Sequence, residues 1–346
     1  MSEQAARLAI LEAAGRAGSF LITSATKPDG DSVASQLALQ TLIGNLKGPG
    51  ARIDIVNEVP CPKRYCFLAR SGEMKTLEDP LLEKYDMSLT VDCSPERVGR
   101  VRPLFDRSPV KVTIDHHKVR TEGGAEINLV LPAAGSTAEV IYSFLEEPRW
   151  KTPLDATLAE TLYTGMIFDT GGFQYKLTTP HTLRVAARLL ETGFDFPKVA
   201  ERVLLVKSFA ARKLLGRVLG QLRTNRSGNV AYAVVTSRMM LETGAQSDDL
   251  EGIVERIIFT EGIEVAVLAI DVPGSDEYKL SLRSRGSVDV AMLARKLDPQ
   301  GGGHDRAAGC NLKGEAEEIL WRVVGKIEDL LDLKNGSAGA ANARPA

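Results

Sequence analysis

An excess of charge of either sign is missing from this sequence: 43 Lys and Arg stand against 45 Asp and Glu, a formal net charge of −2. No global basic field exists to hold a long polyanion, so an anionic ligand must be small or gripped by a local patch. Long duplex nucleic acid is excluded as a partner on that ground. Long apolar runs are missing too. No stretch reaches the roughly 20 residues needed to span a bilayer, which argues against a membrane partner. Near the N-terminus Glu3, Arg7, Glu12 and Arg16 interrupt an Ala/Leu pattern, the mark of an amphipathic helix and not of a signal peptide. Cysteine is sparse. Cys61, Cys66, Cys93 and Cys310 have neither zinc nor redox spacing, and they read as the reduced thiols of a cytoplasmic protein. Internal repeats are absent.

What is present is an alternation of short apolar strands and helices. Ser19–Thr23, Arg52–Val59, Met87–Val91 and Val110–Ile114 read as strands, with helices over about 31–46 and 96–104 between them. Strands alternating with helices predict an α/β fold with a doubly wound, mainly parallel sheet. Further helices are expected over 136–145, 154–168 and 182–192, and a cation-rich helical stretch over 196–223 breaks at Asn225-Arg226-Ser227-Gly228-Asn229. With 346 residues the chain is long for one core, and two domains are expected. The division runs 1–195 for the first, 196–227 for a helical connector, 228–334 for a smaller α/β domain, and 335–346 for a disordered tail.

Histidine is as rare as cysteine, four in all, yet two stand side by side in Asp115-His116-His117. Three acidic motifs can meet them: Pro28-Asp29-Gly30-Asp31, Asp92 after the third strand, and Asp169 at an apolar helix end. Pro28–Asp31 alone is an ordinary turn and helix cap, and Asp92 alone an ordinary turn former. Asp169 is harder to dismiss, because an unpaired carboxylate in apolar surroundings is costly. Neighbouring side chains on a strand point to opposite faces, so one histidine can face a metal while the next reaches a substrate. Ligand sites of open α/β sheets lie beyond the carboxyl ends of the strands, where three of these motifs fall. Carboxylates and imidazoles gathered there hold divalent metals that act on phosphate or water. In the second domain an extended run puts Lys279, Ser281, Arg283 and Arg285 on one face, with Ser284 between the two arginines, and Gly301-Gly302-Gly303-His304 comes later in the chain. An Arg-rich strand beside a glycine loop reads as a phosphate or nucleotide clamp.

Taken in order, these motifs, with Gly135-Ser136-Thr137-Ala138-Glu139, resemble the DHH phosphoesterase family and its C-terminal DHH-associated domain. The subfamily is that of bacterial oligoribonuclease-like nanoRNases and pAp phosphatases, and the resemblance covers nearly the whole chain. It implies a DHH catalytic domain, a DHH-associated substrate-binding domain and a site for two Mn2+ ions. Asp92 would bridge the ions, Asp31, His116 and Asp169 would complete one shell, and Asp29 would belong to the other. His117 would contact the scissile phosphate with Asp115 supporting the histidine pair, while Arg283, Ser284, Gly301, Gly302, Gly303 and His304 would hold the nucleotide. The implied reaction is hydrolysis of short 5′-phosphorylated oligonucleotides or pAp. A linear or cyclic dinucleotide such as pApA or c-di-AMP is an alternative substrate, and pairing as a homodimer is left open. One departure stands out: where the family carries a histidine ligand four residues before the first motif aspartate, this chain has Ala25. That implies a weakened first metal site, and with it a further alternative, a nucleotide-binding protein with an impaired centre.

Overall fold

The computed structural model describes residues 1–117, 124–286 and 288–341. It divides into two compact units, Met1–Val206 and Lys207–Ala346. The stretch expected as a connector is shared between them, 196–206 in the first and 207–227 in the second.

In the first unit five strands, β1 (Ser19–Thr23), β2 (Arg52–Ile55), β3 (Met87–Val91), β4 (Val110–Asp115) and β5 (Ile127–Val130), form one sheet in the order β2-β1-β3-β4-β5. Every pair is parallel. β3 is buried along its whole length, as expected of a parallel strand covered on both faces, and its two polar residues are paired, Ser88 Oγ with Ser108 Oγ (2.6 Å) and Thr90 Oγ1 with Thr113 Oγ1 (3.0 Å). The chain leaves β1 for β2 on one side and returns on the other side as β3. The sheet therefore has its switch point between β1 and β3, where ligand sites form at the carboxyl ends.

The helices of this unit are α1 (Glu3–Arg16), α2 (Gly30–Lys47), α3 (Arg102–Asp106), α4 (Thr137–Tyr142), α5 (Ala156–Asp169), α6 (Pro180–Leu190) and α7 (Phe196–Ala200). α2 is buried at thirteen of its eighteen residues, which suits a helix caught between the sheet and α5. Two glycines set that crossing. A Cβ on Gly30 would lie 2.7 Å from the Phe168 ring, and one on Gly165 would lie 2.5 Å from Asp31 Oδ1 and 2.7 Å from the Ala138 Cβ.

Several local expectations are corrected. The helix read over 96–104 is two 3-10 turns, Pro95–Arg97 and Gly99–Val101, before the short α3. Gly99 takes a left-handed φ of +59°, which a regular helix cannot contain. β2 stops at Ile55, and Val56 makes only an isolated bridge to Lys75. The helix read over 136–145 ends at Tyr142 and passes into a 3-10 turn. The continuous helix read over 196–223 breaks after α7 into a π-helical turn, Glu201–Leu205, and resumes as α8 (Phe209–Gly220).

The second unit is a mixed six-stranded sheet. Its strands are β6 (Arg223–Thr224), β7 (Val230–Val235), β8 (Val265–Asp271), β9 (Glu277–Ser284), β10 (Gly302–His304) and β11 (Ala307–Lys313), in the order β10-β11-β9-β8-β7-β6. Only β7 and β8 pair in parallel. Helices α8, α9 (Ser237–Thr243), α10 (Ile253–Ile258), α11 (Val290–Leu297) and α12 (Ala316–Ala341) complete it. α12 continues to Ala341, past the point where a disordered tail was expected, and 342–346 lie outside the described residues. No helix among the described residues is long and apolar enough to cross a membrane.

Candidate metal centre

Three parallel strands deliver the acidic motifs to one edge of the first sheet. Beyond β1, Asp29 caps α2, its Oδ1 accepting the amides of Asp31 and Ser32 at 3.1 Å each. Asp31 follows in the first turn, fully buried. Its carboxylate accepts the Thr137 amide at 2.6 Å and the Ala138 amide at 3.0 Å. Those amides open α4, so the positive end of a helix faces the carboxylate.

Beyond β3, Asp92 holds a left-handed φ of +59°. An aspartate tolerates this region better than most residues, yet it carries strain of a kind concentrated at functional sites. The turn is fixed on both sides: its amide donates to Ile114 O (2.9 Å), and its carboxylate accepts Ser32 Oγ (2.7 Å) and Thr137 Oγ1 (3.1 Å). At the end of β4, Asp115 is fully buried. Its Oδ1 accepts the His117 amide at 2.9 Å and lies 2.8 Å from His117 Nδ1. Asp115 Oδ2 has no hydrogen-bond partner among the described residues. Asp169, the last residue of α5, closes the group with Oδ2 at 2.9 Å from His116 Nε2.

One ligand atom each from Asp31, Asp92, His116 and Asp169 lies within 4.8 Å of the others, and Asp92, His116 and His117 form a second such group. Asp92 and His116 belong to both. The electrostatics is that of a site built for a cation. Burial, and then the neighbouring Asp169, raise the Asp31 carboxyl well above its ordinary range. Burial, and then Asp31, Asp29 and Asp169, do the same to Asp92. His116 is pulled down by burial, but Asp169, Asp31 and Asp92 outweigh that and lift it to about 10. His117 is raised as well: burial opposes the shift, and Asp115 and Asp92 drive it.

The donor set fits a divalent metal. His116 Nδ1 lies 3.3 Å from Ala134 O, and a proton held there leaves the Nε2 lone pair facing the carboxylates. Nε2 is buried and, although close to Asp169, lacks the alignment of a hydrogen bond. Aspartate oxygens with one imidazole suit manganese or a similar borderline ion.

The structure thus brings Asp31, Asp92, His116, His117 and Asp169 together, with Asp115 beneath His117 and Asp29 at the head of α2. The expected nucleotide-holding residues lie in the second unit. On β9 the alternation expected from the sequence is present: Leu280, Leu282 and Ser284 are buried, while Ser281 and Arg283 are half-buried and Lys279 is exposed. Arg283 is tied to Glu255 Oε1 through Nε (2.9 Å) and Nη2 (2.7 Å) and to Leu282 O through Nη1. Ser284 Oγ accepts the amides of Gly286 and Val288. Gly301 and Gly303 meet packing demands: a Cβ on Gly301 would lie 2.6 Å from Ala294 O of α11, and one on Gly303 2.3 Å from Ala307 O of β11. Gly302 opens on free space, and His304 ends β10.

Four participants were not singled out from the sequence as site residues: Ser32, Thr137, Gly165 and Glu139. For Thr137 the signal was a Ser-Thr pair opening a helix, the usual look of a cap. His181, in the first turn of α6, places Nε2 3.9 Å from Glu139 Oε1. Ala25 supplies no ligand and packs against the apolar cluster of Leu21, Val56 and Cys93.

Comparison with known proteins agrees with this layout. The profile of the DHH family, N-terminal domain, matches residues 19–166, and that of the DHHA1 domain matches 227–333. The chain is 30% identical to the bifunctional oligoribonuclease and PAP phosphatase NrnA of Thermus thermophilus, over 91% of this chain and 90% of that protein. It is 28% identical to the protein of the same name from Bacillus subtilis, over 85% and 90%. An exopolyphosphatase-related protein from Bacteroides fragilis shares the fold with a TM-score of 0.87 at 24% identity, over 95% of this chain and 98% of that one. The exonuclease RecJ, solved bound to manganese, shares it more loosely, with a TM-score of 0.53 at 18% identity over 94% of each chain.

Proposed function

Because the chain belongs to the DHH family, with its DHHA1 domain, we propose that it is a manganese-dependent phosphoesterase of the cytoplasm. Its substrates are short 5′-phosphorylated oligonucleotides, pAp, or both. The observation that carries this reading is the group of buried Asp31, Asp92 and His116 with half-buried Asp169 at the carboxyl edge of a parallel sheet, with His117 beside it. The oligoribonuclease and PAP phosphatase names of the relatives support the substrate class.

Asp31, Asp92, His116 and Asp169 would hold one ion, and Asp92 with Asp29 would take part in holding a second. Bound there, manganese supplies a Lewis acid that lowers the pKa of water and offsets charge on phosphoryl oxygens. The protein's own part is to fix the donors. The opening of α4 holds Asp31, the left-handed turn and two hydroxyls hold Asp92, and Ala134 O sets the ring of His116. His117, only partly buried and held by Asp115, would hydrogen-bond the phosphate being cleaved. In the second unit, Arg283, Ser284, the glycines 301–303 and His304 are the residues that would bind the nucleotide. The near-neutral net charge restricts substrates to short ones.

The experiment is release of inorganic phosphate from pAp, and of mononucleotide from a 5′-phosphorylated dinucleotide, by manganese-loaded protein. Asp92→Asn, which removes the shared carboxylate, is expected to abolish both. Rates on pApA and c-di-AMP measured beside them decide the alternative substrates. A second reading rests on Ala25, which offers no donor where the family carries a histidine and packs instead among apolar residues: a nucleotide-binding protein that turns over poorly. Full activity of the protein as it stands, with two ions bound per chain, removes that reading.

A further inference from the structure

One buried carboxylate belongs to neither ligand group yet stands behind three of the ligands. Glu139, 3% exposed, directs Oε2 at the Gly135 amide (2.9 Å) and accepts the hydroxyl of Thr182 (2.7 Å). Its own amide is capped by Ser136 Oγ at 3.1 Å. The segment held in this way, 134–138, is the one that touches the metal ligands. Ala134 O meets His116, the Thr137 and Ala138 amides meet Asp31, and Thr137 Oγ1 meets Asp92. The approach is close because residue 135 is glycine: a Cβ there would lie 2.9 Å from Glu139 Oε2 and 3.0 Å from the Thr182 side chain. Thr182 is itself fixed in the first turn of α6 by a reciprocal capping box with Thr179.

We propose that Glu139 is a positioning residue of the metal centre, a brace that ties segment 134–138 to Thr182 and so sets the orientation of Asp31, Asp92 and His116. The inference rests on the reading of that group as a metal site. A carboxylate that served folding alone would affect stability and leave the affinity of the folded protein for metal unchanged. Groups behind metal ligands typically govern affinity by about 10–100-fold, so the two roles are separable.

The test is manganese titration of the metal-free full chain, wild type against Glu139→Gln, Glu139→Ala and Thr182→Val, with circular dichroism reporting folding. Glutamine can place its carbonyl oxygen where Oε2 lies and accept both hydrogen bonds, so Glu139→Gln should keep wild-type affinity. Glu139→Ala should weaken it by about 10–100-fold, and Thr182→Val, which removes one anchor, should weaken it in the same direction. A folded Glu139→Ala with undiminished affinity overturns the brace, as does Glu139→Gln binding as poorly as Glu139→Ala. If Glu139→Ala does not fold, undiminished affinity in Thr182→Val overturns it instead. Wild-type protein that binds no manganese removes the metal reading and this inference together, whereas wild-type binding with unaffected variants removes only the role of Glu139.

Discussion

Gly165 offers a sharp test of how the site is packed. It faces α2 and α4 from α5, and an added Cβ would lie 2.5 Å from Asp31 Oδ1, 2.7 Å from the Ala138 Cβ and 3.2 Å from the Ala34 Cβ. Ordinary carbon contacts need roughly 3.5–4.0 Å, so α5 would have to retreat by about 1 Å. None of the three neighbours can swing aside: two are alanine β-carbons fixed to helices, and Asp31 Oδ1 is held by the Ala138 amide. Overpacking of this kind costs up to about 3 kcal/mol, and alanine's better helix propensity returns about 1 kcal/mol. Gly165→Ala should therefore destabilise the first unit by about 2 kcal/mol, a fall of about 4–8 °C in melting temperature for a unit of this size. Gly15→Ala, near the end of α1 with nothing within 4 Å of the added carbon, is the control and should stabilise by about 0.4–1 kcal/mol. Scanning calorimetry of the metal-free variants reads both. A Gly165→Ala protein as stable as the wild type would refute the packing argument, and with it the reason Asp31 and Asp169 come together.

Further predictions concern single interactions. Ala25→His restores the imidazole that the family carries at this position and should increase manganese bound per chain or tighten it, as read by calorimetric titration; no change would mean that the site does not extend to residue 25. Asp54 accepts Lys75 Nζ (2.7 Å), Arg52 Nε (2.9 Å) and Tyr85 Oη (2.6 Å). Burial raises its carboxyl, but these three partners outweigh it and leave it below the ordinary value. A depressed carboxylate contributes stability that is present above its unfolded pKa of about 3.9 and fades as pH falls through the folded value. The stability difference between wild type and Asp54→Asn should therefore be constant above about pH 5 and shrink below pH 4, and a difference that grows on acidification contradicts the assignment. Asp155→Ala removes the α5 cap bond to the Leu158 amide (2.8 Å) and should cost about 1 kcal/mol in urea unfolding; a cost near zero would show that the cap does not hold α5.

The parts legible in the sequence were those written locally. β1, β3 and β4 stood out because they are short runs rich in large apolar and β-branched residues, and the aspartates after them were visible as turn formers at strand ends. Adjacent histidines after an apolar strand have no routine structural purpose, so His116 and His117 were conspicuous. The missing parts were written in long-range contact. The Glu139 brace joins residues 43 positions apart, and nothing in Ala134–Glu139 by itself names Thr182. Gly165 bears no local mark of its role, which depends on α2 and α4 packing against it. The left-handed turn at Asp92 gave no local sign, because aspartate is common in turns of every kind. The helix expected over 96–104 failed at Gly99, whose side would otherwise meet Glu58 and Thr26 from other strand ends.

The claim on which the rest depends is that Asp31, Asp92, His116 and Asp169 hold a metal ion. Its most direct measurement is manganese bound per chain by the purified, metal-stripped protein, with Asp92→Asn beside it. The wild type should bind manganese saturably, and Asp92→Asn should abolish that binding. Wild-type protein that binds no manganese, or an Asp92→Asn variant that binds it equally well, would contradict the account.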